Sequence, residues 1–198
     1  MSLIKKLILK ILFNRAKKSA IQNSTLVGSH HHFSRMTKII LDDGASKENV
    51  ILCDGSWADG TIVVQNKGVV IMHPHSKIDD TTKILCVDRV EIGAYTAIAA
   101  GATICDNNNH PISPSYRKKM RLTPANDDMR KWKHSAHAPI MIGENCWIGT
   151  NVRICKGVSI GDNSIIAACS VVTKDVPSNC IVAGNPAKIV KTNIDRDC

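Results

Sequence analysis

Aliphatic residues recur every six positions in the second half of the chain, at Ile142, Ile148, Ile154, Ile160, Ile166 and Val172. Four residues after each comes Cys146, Val152, Val158, Ser164, Ser170 or Val176, all small or β-branched. Gly143, Gly149, Gly161 and Ala167 directly follow an aliphatic member of the series. Inward residues at i and i−2 describe a short strand whose alternate side chains face one interior. The small residue after the aliphatic one lets the chain turn before the next strand begins. A six-residue period drifts around a helix surface, which excludes an amphipathic helix here. Such a rung cannot bury its apolar side alone, so the rungs must stack into a solenoid.

Upstream the same pattern runs through Ile92, Ile98 and Ile104, with Gly93 and Ala99 as the small partners. Before Ile92 the pattern decays, although Ile78, Ile84 and Val90 keep the spacing. Residues 35–90 are therefore expected to form less regular coils, with strands at Ile62-Val63-Val64 and Val69-Val70-Ile71. The interval from Ile104 to Ile142 is not a multiple of six. The polar, basic stretch between them reads as a loop inserted at about 105–138, thrown out from a corner of the solenoid.

The first twenty residues break the pattern. Ile4, Leu7, Ile8, Ile11 and Leu12 follow helical spacing, and Lys5, Lys6, Lys10, Arg15, Lys17 and Lys18 supply positive charge. This predicts a basic amphipathic helix over 1–20, ahead of a solenoid domain over 21–198. The apolar run is too short for a transmembrane helix or a signal peptide. Two roles stay open: docking on an anionic membrane surface, or capping one end of the fold.

The formal charge of +9 calls for an anionic partner. With 4% aromatic residues the chain lacks stacking platforms for single-stranded nucleic acid, so no nucleic-acid partner is expected. The eight cysteines form no CxxC pair and read as buried free thiols in a reducing cytoplasm.

The hexapeptide repeat resembles that of the hexapeptide-repeat acyltransferases. Asp106-Asn107-Asn108-Asn109-His110-Pro111 is similar to the His-Pro motif of their maltose, galactoside and nodulation-factor acetyltransferase branch. The rung Ala138–Gly149, then Ser170–Pro177 and Ala183–Lys188, resemble the coils that follow it. The resemblance covers about 90–191, and the basic N-terminus makes capsular and lipopolysaccharide O-acetyltransferases the closer analogy. It implies an all-β fold, a left-handed parallel β-helix, assembled as a homotrimer with active sites between subunits. The handedness comes from the resemblance alone, since crossovers are ordinarily right-handed.

The implied reaction moves an acetyl group from acetyl-CoA to a hydroxyl of a sugar or surface polysaccharide. A sugar hydroxyl needs a base at neutral pH, and His110 matches the family's catalytic histidine. Asp106 is a candidate to orient that imidazole. An aspartate opening an Asn-rich turn is an equally ordinary reading. Trp147 would wall the acceptor channel or pack a corner. By resemblance Thr150, Ala168, Thr173 and Lys174 contact CoA, and Lys188 and Lys191 meet its phosphates. Thr150, Ala168 and Pro186 are spaced by 18, so three rungs per coil would stack them along one edge. No metal is called for. His30–His32, His73, His75, His134 and His137 carry no recognised pattern, the pair at 73 and 75 facing opposite sides or sitting at a corner.

Two rival readings follow from the same coil. A zinc enzyme of the γ-carbonic-anhydrase type would need a three-histidine pattern that is not evident. A non-catalytic polysaccharide-binding or scaffolding solenoid would not need His110-Pro111, the loop and Thr173-Lys174 together. The expected location is cytoplasmic, peripheral on the inner face of the cell membrane if the first helix docks there.

Overall fold

The computed structural model describes residues 3–196. Its body is a left-handed triangular prism of stacked coils, each coil laying one short strand on each of three parallel sheets. Face A runs from Thr25–Leu26 through Val50–Leu52, Val69–Met72, Arg89–Ile92 and Ile140–Ile142 to Ser159–Ile160. Face B runs from Trp57–Ala58 through Lys77–Ile78, Ala97–Ile98, Trp147–Ile148 and Ile165–Ile166 to Cys180–Gly184. Face C runs from Lys38–Asp42 through Thr61–Gln65, Lys83–Cys86, Thr103–Cys105 and Arg153–Cys155 to Val171–Val172.

The register explains where the repeat was clear and where it faded. Ile142 pairs with Ile160, and Ile148 with Ile166, so each of those coils is three rungs of six. Val50, Val70 and Val90 stack at intervals of 20. The longer coils bury two inward residues on face A and two on face C. Val90 with Ile92, and Ile84 with Cys86, are such pairs. The solenoid thus begins well before Ile92, and the irregular period is a wider coil. The strands expected at Ile62-Val63-Val64 and Val69-Val70-Ile71 are both present.

The core is one continuous column of aliphatic side chains. Ile62, Ile84, Ile104 and Ile154 lie in register on face C with no solvent exposure. Each such side chain stabilises the fold by about 1.5–3 kcal/mol. The small residue after the aliphatic one has a sharper reason than turning. A Cβ on Gly149 would stand 2.6 Å from the backbone nitrogen of Ala168 in the next coil, so only hydrogen fits between the layers. Between faces A and B, Asn145, Asn163 and Asn179 hold positive φ at one stacked corner. Their side-chain amides donate up the stack, Asn145 to Asn163 at 3.0 Å and Asn163 to Asn179 at 3.1 Å. Left-handed backbone there favours asparagine.

At the last coil the chain reverses. Ala187–Thr192 folds back antiparallel on Cys180–Gly184. Ile166 pairs with Val182, so this coil is shorter than the ones beneath it. Pro186 therefore does not stack over Ala168, contrary to the spacing of 18, and lies in the reversal behind a cis Asn185–Pro186 peptide.

Helix α1 (Leu3–Gln22) forms as expected and runs slightly past residue 20. Its last turn joins the body: Ala20 is buried, and Asn23 just beyond it donates its side-chain amide to Ile39 O at 2.8 Å. The expectation of two clean faces is not met. From Ile4 to Phe13, seven of ten residues are apolar. At about 100° per residue they spread over roughly 240° of the circumference, with Lys5 inside that arc. Cys86, Cys105, Cys146 and Cys180 are buried as expected, but Cys169 is exposed, and Cys198 lies outside the described residues.

Candidate active site

The Thr103–Cys105 strand ends on face C, and the chain then leaves the prism at the corner leading to face A. It returns at Ile140. The excursion is more ordered than its polar sequence suggested. It contains α2 (Pro114–Arg121), started by Ser113, whose hydroxyl accepts from Tyr116 N. Lys131 Nζ donates to both carboxylate oxygens of Asp42 at 2.8 Å, and Trp132 N donates to Gln65 Oε1 at 2.9 Å. The Lys131 ammonium holds the Asp42 carboxyl below its usual range. At its base the excursion closes on itself: Asn107 pairs antiparallel with His137, and Ala138 N donates to Asp106 O at 2.9 Å.

His110 stands on this base, exposed, its backbone N–H donating to Asn108 O at 2.7 Å. Asp106 does something other than orient it. The carboxylate is fully buried and accepts from Val87 N, from Asp88 N at 2.8 Å and from the Asn107 side-chain amide at 3.0 Å. Its donors are these N–H groups and the Cys86 thiol, and none is an imidazole. The expected orienting role is therefore replaced by a capping one: Asp106 closes the corner of the coil beneath, where two consecutive N–H groups would be left without acceptors. Burial pushes its carboxyl above the usual range, against the pull of those donors.

A second locus lies on face B. Ala99, Trp147, Gly149, Thr150, Ile165, Ala167 and Ala168 line a cleft of about 280 Å³. Its floor is low because Ala99, Gly149, Ala167 and Ala168 carry little or no side chain there. Trp147 pairs with Ile165 and Ile165 with Ile181, and the folded-back strand then sets Lys191 opposite Ile181 and Lys188 opposite Ala183. Two strand spacings, about 9.6 Å, separate Ile165 from these exposed lysines. Trp147, Thr150, Ala168, Lys188 and Lys191 thus share one side of the prism.

Thr173 and Lys174 fall elsewhere. They follow Val171–Val172 at the corner between faces C and A, the corner from which the His110 excursion also departs. The candidate residues therefore divide between two sides of the prism, and a single chain does not unite them. Sequence reading missed several polar pairs near them. His137 Nδ1 meets Asp88 Oδ2 at 3.0 Å beside the base of the excursion, and Lys77 pairs with Asp79 at 2.9 Å below the cleft on face B. His73 bonds Glu91 at 2.6 Å, while His75 sits at a positive-φ corner stacked on Tyr95. Among the described residues, no three His, Cys, Asp or Glu side chains gather as a metal site.

The prism and its six-residue period are those of a left-handed hexapeptide-repeat solenoid. The family described as bacterial transferase hexapeptide (six repeats) matches residues 139–174. Galactoside O-acetyltransferase of Escherichia coli (strain K12) is 41% identical over 95 residues, 48% of this chain and 47% of that one. A putative lipopolysaccharide biosynthesis O-acetyl transferase of the same organism is 34% identical over 125 residues, covering 63% of this chain and 61% of the relative. The chain thus spans between about half and two thirds of these curated relatives. The crystal structure of the polySia specific acetyltransferase NeuO superposes with a TM-score of 0.64 at 28% identity, over 86% of this chain and 77% of the other. The match to these O-acetyltransferases is one of similarity over part of their length.

Proposed function

We propose that the protein transfers an acetyl group from acetyl-CoA to a hydroxyl of a glycan, with His110 as general base. The observation that carries this reading is the face B cleft, whose floor of small residues leads to Lys188 and Lys191. A flexible thioester arm fits such a floor, and the lysines would take its phosphates as exposed charges. The names of the relatives carry galactoside, lipopolysaccharide biosynthesis and polySia, which supports a sugar or glycan acceptor.

In this reading the acceptor hydroxyl gives its proton to the His110 imidazole as its oxygen bonds to the thioester carbonyl carbon. The carbon–sulfur bond then breaks, and the imidazolium returns the proton to the departing CoA thiolate. A parallel neighbour whose His110 corner faced this chain's cleft would complete the site, with Thr173 and Lys174 on the His110 side. A homotrimer with active sites between subunits satisfies that division.

Release of free thiol from acetyl-CoA, measured with and without galactosides and sialic acid polymers, tests the activity directly. In that assay Lys188→Ala with Lys191→Ala should raise KM for acetyl-CoA roughly fivefold, as loss of two exposed charge contacts does, and change kcat less. Higher salt should weaken donor binding by the wild type in the same direction. An unchanged KM together with no salt response would place the CoA phosphates elsewhere.

A further inference from the structure

We propose that the exposed apolar side chains of α1, with its basic residues, dock on an anionic lipid surface. These side chains lie open, from 71% exposure at Ile4 to 38% at Phe13. Leu7, Ile8, Ile11 and Leu12 are exposed between them. Water alone would not favour so much apolar surface in one place.

Width and charge decide what covers it. A helix seated in a protein groove buries one stripe of anchors. The apolar arc of α1, roughly 240° by helical geometry, is too wide for that. Lipid tails surround a helix and accept such an arc. The helix carries six basic residues and no acidic one, so its charge is complementary to anionic headgroups. Lys6, Lys10 and Lys17 meet no carboxylate among the described residues. Their long stems can lie along the apolar surface while the ammonium groups reach outward. Nearer the body, Asn14, Lys17, Lys18, Ile21 and Gln22 border a shallow hollow of about 400 Å³, where two ammonium groups and two amides could hold a headgroup phosphate. Packing the helices of neighbouring copies together would instead crowd like charges.

No described helix is long and apolar enough to cross a membrane. The segment from Ile4 to Phe13 extends about 15 Å, so the contact is peripheral. The enzyme would then meet lipid-linked or newly made glycans at the surface where they are assembled. Docking itself does not depend on acetyl transfer, and either can fail without the other.

The test is co-sedimentation of the full chain with phosphatidylglycerol-rich vesicles and, in parallel, with phosphatidylcholine vesicles. The wild type should bind the anionic vesicles and leave the neutral ones largely in the supernatant. Combined Lys6→Ala, Lys10→Ala and Lys17→Ala should lower partitioning roughly a hundredfold, since each cation near the surface contributes about a factor of five. Leu7→Gln, Ile8→Gln and Ile11→Gln together should also abolish it, because charge alone does not seat the helix. Failure of the wild type to sediment, or equal binding by the lysine variant, would overturn the proposal. So would a lower sedimentation coefficient of the glutamine variant in vesicle-free solution, which would show that the apolar residues join copies of the chain.

Discussion

Alanine at position 110 is expected to lower kcat by roughly a hundredfold or more, the range lost when a positioned general base is removed. Stability should change little, because the imidazole is exposed and the hydrogen bond at this residue is made by its backbone N–H. CoA binding should also survive, since the imidazole handles the proton while the small-residue floor of the cleft and the two lysines hold the donor. Single-turnover rates, CoA affinity and the melting temperature of His110→Ala separate these effects. Turnover close to that of the wild type would remove His110 from the mechanism.

Asp106 gives the second large effect, and of a different kind. Asp106→Ala leaves the Val87 and Asp88 N–H groups without an acceptor, at about 1–3 kcal/mol each. A total of about 4 kcal/mol should lower the melting temperature by roughly 8–16 °C for a chain of this size. Activity would fall too, because the excursion bearing His110 hangs from this corner through Ala138 N and Asp106 O. A dyad role and a capping role therefore part at stability rather than at turnover. An orienting carboxylate could be removed with the fold intact, whereas a capping one cannot. If thermal unfolding of Asp106→Ala matches the wild type while kcat collapses, the capping account is wrong.

The two residues illustrate what the chain declares in one dimension. The hexad from Ile142 to Val172 was legible because each corner there takes the same number of residues, so period and geometry coincide. Upstream, the extra inward pairs such as Ile84 with Cys86 widen each coil, and a fixed window of six loses phase although the prism continues. Pro186 was misplaced for the converse reason: its coil is shorter than those before it. His110 was legible through its local motif, and Thr150 with Ala168 through their spacing of one full coil. The capping bonds of Asp106 were not, because its donors, Val87 and Asp88, are distinguished by backbone direction alone. Nor does spacing reveal that Lys188 and Lys191 lie on the same face as the cleft, which depends on a strand reversing direction. For α1 the alternation of charge and apolar residues suggested two faces, but only the angles around the helix show how far the apolar arc extends.

That reversal has a bearing on solubility. A stack of parallel coils exposes, at its last layer, a row of unpaired N–H and C=O groups with the same pitch as every layer beneath. Such an edge is a template on which another copy could continue the stack, and repeated addition would yield a fibre. Ala187–Thr192 runs against the direction of the strands it joins, so on face B an incoming coil meets a layer of the wrong polarity. The same strand that brings two lysines to the cleft thereby helps keep the solenoid finite.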